Sequence, residues 1–150
     1  MRRMRFGWQV VPVLVLAAAV AGVFPGCNVQ IQCSSASLKS ATMCTRVDPS
    51  TKAPVAKTDV FTPDTAKIYC SVGLANAGPD TEVKAEWVYV RGEDAALTNH
   101  VVADSSVKAE GTRDIAFSIE RPDDGWPRGD YCVKLYLNGE QKITAPFAVK

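Results

Sequence analysis

The sequence has a single histidine, His100, no Cys-x-x-Cys pair and no Gly-rich phosphate loop. Each absence removes a class of chemistry. One imidazole cannot complete a common zinc site in an oxidising compartment, and without a Gly-rich loop nothing cradles a nucleotide phosphate. His100 has Asn99 before it, valines after it, and Asp104 and Ser105 nearby. Spacing alone permits a triad, but a lone histidine in a strand is far more often a surface or half-buried side chain. No convergent acid, base and nucleophile is visible, so the chain is read as a non-enzyme with no cofactor and no metal. An excess of one charge is also missing: 17 Lys and Arg stand against 16 Asp and Glu, for a net charge of +1. No basic field and no aromatic-basic stripe is present to draw a phosphate backbone, which excludes nucleic acid as a partner. Two carboxylates in Asp123-Asp124-Gly125 lack the alternating oxygen ligands of a calcium loop and read as a turn. Arg128-Gly129-Asp130 spells an adhesion tripeptide, but Gly and Asp have ordinary work in the turn that opens a strand.

No apolar run is long enough for a spanning helix, which needs roughly twenty residues. The run from Val10 to Phe24 is shorter and follows Arg2, Arg3 and Arg5, the pattern of a secretory signal. Phe24-Pro25-Gly26-Cys27 at its end resembles the lipobox of bacterial lipoproteins, with Phe24 and Pro25 standing where Leu and a small residue are usual. The resemblance implies that Cys27 becomes a lipidated N-terminus. Cysteine arithmetic agrees: of five Cys, spending Cys27 on lipid leaves Cys33, Cys44, Cys70 and Cys132, an even set suited to disulfides. The competing reading is cleavage after Ala21 to release a soluble secreted domain. Removing residues 1–26 leaves 14 Lys and Arg against 16 Asp and Glu, a net charge of −2. Asn28 follows the anchor where, by resemblance to diderm lipoproteins, an Asp would signal inner-membrane retention, so the outer membrane is expected in such a cell.

Residues 27–40, rich in Ser and Gln, read as a tether, and residues 41–150 as one domain. The domain reads in short alternating runs, and no window sustains a helical period, so the class is all-β. Strands are predicted near 41–47, 66–75, 83–91, 98–103, 114–120, 130–138 and 141–149. Seven short strands favour a two-sheet sandwich over a barrel. Alternation names the core: Ile68, Cys70, Val72 and Leu74; Ile115, Phe117 and Ile119; Tyr131, Val133, Leu135 and Leu137; and Val83, Ala85, Trp87 and Tyr89, with Trp87 central. Asn76 to Asp80 is predicted to turn, Asn138-Gly139 to close a hairpin, and Pro146 to place the last strand at a sheet border.

The runs containing Ile68-Tyr69, Asn76-Ala77, Trp87, Gly125 to Tyr131, Leu135 to Gly139 and Phe147 to Val149 resemble an envelope-associated β-sandwich domain of uncharacterised function, widespread in bacteria and archaea. The resemblance implies an extracytoplasmic setting and brings no catalytic residue with it. The order Cys70, Trp87, Cys132 is also similar to the immunoglobulin arrangement, so the fold is expected to be immunoglobulin-like or fibronectin-type-III-like. That likeness favours pairing 33 with 44 and 70 with 132 among three connectivities. Alternation opposes it, placing Cys132 on the face of Lys134 and Tyr136 while Cys70 points inward.

Two function classes remain. One is a lipid-anchored interaction module that displays loops or an open sheet edge to a protein or other envelope partner, with Trp126 and Tyr136 as candidate contacts. The other is a structural or accessory subunit of a larger envelope assembly, which would need a broad apolar face left over after the core is filled.

Overall fold

A computed structural model describes residues 35–150. The signal segment, Cys27 and Cys33 lie outside the described residues. Eight strands form: β1 (Ser37–Cys44), β2 (Val60–Phe61), β3 (Lys67–Ala77), β4 (Glu82–Gly92), β5 (His100–Lys108), β6 (Gly111–Glu120), β7 (Gly129–Leu137) and β8 (Glu140–Val149). They make two sheets, a three-stranded one in the order β1-β3-β6 and a five-stranded one in the order β2-β8-β7-β4-β5. The class is all-β. Against seven expected strands, the additional one is β2, whose two residues pair in parallel with Ala148 and Val149. So short a piece carries no period for a sequence to reveal.

The alternating sets predicted for the core meet between the sheets. Ile68, Cys70, Val72 and Leu74 on β3 and Val83, Ala85, Trp87 and Tyr89 on β4 are buried, with Val133, Leu135 and Leu137 on β7 joining them. Trp87 is only 1% exposed. Its indole meets the Phe147 ring edge-on at 6.0 Å, and Tyr131 stacks on Phe147 at 5.0 Å. Such aromatic pairs add to the burial of their area.

Local chemistry explains the connections. Asn138 and Gly139 both take positive φ, at 50° and 84°. This is what a two-residue hairpin between right-twisted strands demands. Asn76 also takes positive φ, yet it lies within β3 at a register shift between Leu74 and Ala77, and the turn follows at Gly78–Thr81. Pro146 does not put β8 at the border of its sheet, because β2 pairs beyond it, and the proline is tolerated there for a specific reason. Ala148 N, of the same parity, donates to Asp59 O on the side of β2, while β2 pairs only with Ala148 and Val149. The N–H that Pro146 lacks would point where no strand follows.

β1 begins at Ser37, inside the stretch read as tether, and ends at Cys44 instead of residue 47. Leu38 and Ala41 pack against the core and so draw this stretch into the sheet. The chain after Cys44 folds over the outer face of β3, where Ser71 Oγ donates to Lys52 O at 2.8 Å.

Candidate functional site

Three strands facing five leave β5 without an opposite strand. Its inward positions Ser105 and Val107, opposite Ala85 and Val83, stay exposed, as does nearly the whole of β5. The strand is also the last in its sheet, bonded to β4 alone. A shift between Trp87 and Val88 makes Val102 a bulge and leaves Ala103–Lys108 as a regular run against Glu82–Trp87. Ala109 N donates to Thr81 O, and Asn138 N on the other side of β4 donates to Glu82 O. These bonds set the phase of the ladder. Ala103, Ser105 and Val107 turn their backbone groups to β4, and Asp104, Ser106 and Lys108 turn theirs outward. Below this edge lies an open groove of about 940 Å³, lined by Ser105–Ala109 of one sheet and Thr112–Ser118 of the other.

On the outer face of the five-stranded sheet, Lys84 Nζ donates to Glu86 Oε1 at 2.8 Å and Tyr136 Oη donates to Glu86 Oε2 at 2.8 Å. Lys84 also lies 3.8 Å from Asp104 and 5.9 Å from the centre of the Tyr136 ring. The Lys84 bond, and after it that of Tyr136, hold the Glu86 carboxyl below its usual range, while the Glu86 bond raises the Tyr136 hydroxyl. Tyr136 therefore has its polar end committed within the sheet. The network braces β4, β5 and β7.

Trp126, expected as a surface contact, is a correction. It is 4% exposed, its Nε1 donates to Thr65 O at 2.7 Å, and its ring meets Tyr131 edge-on at 6.4 Å. The loop that carries it is zipped onto Pro63, whose carbonyl accepts from Trp126 N. The adhesion tripeptide is likewise spent on structure. Arg128 O accepts from Tyr89 Oη at 3.0 Å, Asp130 pairs with Arg91 at 2.8 Å, and Gly129 packs on Gly92 so closely that a Cβ on Gly92 would meet Arg128 O at 2.2 Å. Asp123 and Asp124 lie in the turn closed by Gly125 N donating to Pro122 O, and His100 is exposed at the start of β5. No group of metal-ligating side chains forms among the described residues.

Cys44, Cys70 and Cys132 are buried thiols. The expected bond between Cys70 and Cys132 is not formed. Cys70 points into the core from the three-stranded sheet, whereas Cys132 stands in the outward row Val101, Val88, Cys132, Pro146 of the other. Cys44 and Cys70 are near in sequence register, but Met43 is the residue opposite Cys70 and Tyr69 the one opposite Cys44. Their Cβ atoms therefore project from opposite faces and cannot be bridged. Burial raises all three thiols, that of Cys70 to about 12, so none is a ready nucleophile at neutral pH.

The β5 edge is the feature that sequence reasoning missed, since a strand near 98–103 stops before most of it. Because most of its inward face is uncovered, Ser105 can stand at an inward position, and it interrupts the alternation in ADSSVK that would signal a strand.

No family model matches the chain, and no curated protein matches it. Among solved structures it is similar to part of the Pseudomonas fluorescens alkylpurine DNA glycosylase AlkC, at 15% identity and a TM-score of 0.47 over 77% of this chain and 30% of that one. It is also similar to part of a β-glucosidase from Erythrobacter marinus (10% identity, TM-score 0.46, 77% and 15% covered) and of a β-D-glucoside glucohydrolase from Trichoderma reesei (13%, 0.43, 77% and 19%). The chain spans less than a third of the length of each. At these identities the likenesses assign neither a family nor an activity.

Proposed function

We propose that this chain is a lipid-anchored interaction module of the cell envelope, an immunoglobulin-like or fibronectin-type-III-like sandwich without catalytic activity, held on the outer membrane in a diderm cell through Cys27. The observation that carries the reading is the free edge Ala103–Lys108. A row of unpaired backbone donors and acceptors is a template for another strand, and natural proteins usually cover or break such an edge. The exposed large apolar side chains among the described residues are Val55, Val60, Val101, Val102 and Val107, and the last three belong to β5. They make no broad apolar face of the sort an accessory subunit would bury. They favour docking at an edge.

Proline separates docking from folding. Ser106 turns its N–H outward, so Ser106→Pro should change stability by less than about 1 kcal/mol and still block strand addition. Ser105→Pro, which removes a bond to β4, should destabilise the fold by about 3 kcal/mol. The test is cross-linking in intact envelopes from a photoreactive residue near β5, with chemical denaturation as the control. If Ser106→Pro leaves the cross-links unchanged, the edge is not the docking element. Anchoring is tested separately: Cys27→Ser should move the protein from the membrane to the soluble fraction, and mass spectrometry of the mature wild type should find an acylated Cys27. A mature chain starting at Gly22 would sink the lipoprotein reading.

A further inference from the structure

The inference concerns the occupant of the β5 edge and rests on the reading that this edge is where docking occurs. Since Asp104, Ser106 and Lys108 present their backbone groups outward, an added antiparallel strand must bond to these three residues. We propose that the added strand is β5 of a second copy of this chain, paired about a two-fold axis through Ser106. In that register Asp104 stands opposite the second copy's Lys108, Ser106 opposite Ser106, and Lys108 opposite Asp104. Each is a hydrogen-bonded pair, and the two oppositely charged pairs lie on the same, outer face. Neighbouring registers lack this match. An axis at Asp104 or at Lys108 sets like charges opposite each other, one at Ser105 sets Asp104 against Ser106, and one at Val107 sets Asp104 against Glu110. Opposite charges directly across a ladder stabilise it and like charges destabilise it.

The charges are available. Asp104 is 60% exposed beside Lys84, and Lys108 is 67% exposed beside Asp80, so each keeps solvent-facing room for a second partner. The bulge at Val102 and the positive φ of Gly111 bound the pairing to one short run. So short a ladder buries less than the area of a standard stable interface and would be weak between free molecules. Two copies confined to one membrane meet at a much higher effective concentration, which raises occupancy without any new contact.

The experiment uses the full-length chain in its native membrane, with a photoreactive residue at Val102. The proposed register sets Val102 opposite Glu110 of the second copy, so the link should yield a dimer and map to residues 109–111. Asp104→Lys and Lys108→Asp should each reduce that dimer about tenfold, because each sets two like pairs opposite one another. The double variant Asp104→Lys/Lys108→Asp exchanges the signs and should restore it to within about threefold of wild type. Thermal unfolding of all three confirms that they remain folded. A dimer link mapping elsewhere, or single reversals without effect, would overturn the proposal. So would a wild type that stays monomeric while Ser106→Pro abolishes its cross-link to another envelope component, and that result would leave the edge reading standing. If the wild type is monomeric and Ser106→Pro changes no cross-link at all, both fall.

Discussion

Replacing Trp87 with Ala should destabilise the domain by about 3 to 5 kcal/mol, a large share of a total stability of roughly 5 to 15 kcal/mol. The indole sits at the middle of β4, 1% exposed, between Val133 on β7 and Ala103 on β5 in the ladder, with Phe147 edge-on against it. Truncation would remove its burial and leave a cavity that the flanking strands cannot close, because both are pinned by backbone bonds. Trp87→Phe keeps most of the volume and should cost less than half as much. Urea denaturation of the three proteins decides the matter. Wild-type stability in Trp87→Ala would mean that the centre of the core lies elsewhere.

What a sequence reveals about such a fold depends on whether each strand has one covered face. β3, β4 and β7 do, and their inward sets were readable residue by residue from alternation alone. The Asn138-Gly139 hairpin was readable for a different reason, since two adjacent positive φ angles call for this residue pair. β5 was not, because most of its inward face is uncovered, and β2 was not, because two residues have no period. The thiols show the same division. Alternation placed Cys132 outward and Cys70 inward, as they are found, while the immunoglobulin likeness suggested a bond that these directions do not allow. The β5 edge was therefore the least legible element. It is defined by a strand that is absent beside it, and a single sequence does not state which strand is last.

Trp126→Ala should cost about 3 kcal/mol, close to the loss at Trp87, although Trp126 lies in a loop between Gly125 and Pro127 and reads from sequence as a cheap position. Two losses add. The ring gives up its burial against Tyr131, and Thr65 O gives up the 2.7 Å bond from Nε1, one of the ties between the loop before β7 and the loop before β3. A carbonyl left without that donor costs about 1 to 3 kcal/mol where water cannot reach it and less where it can. Trp126→Phe separates the terms, since it keeps most of the ring area and loses only the bond, and should cost about 1 kcal/mol. The Gly125 φ of 83° and the Trp126 N bond to Pro63 O hold the backbone in place for either variant, so the loop has little freedom to re-aim a smaller side chain into the gap. Urea midpoints of both variants, with the slope checked against wild type, measure this directly. A loss below about 1 kcal/mol in Trp126→Ala would mean that the loop contributes little to the core, and Trp126 would return to being a candidate surface contact.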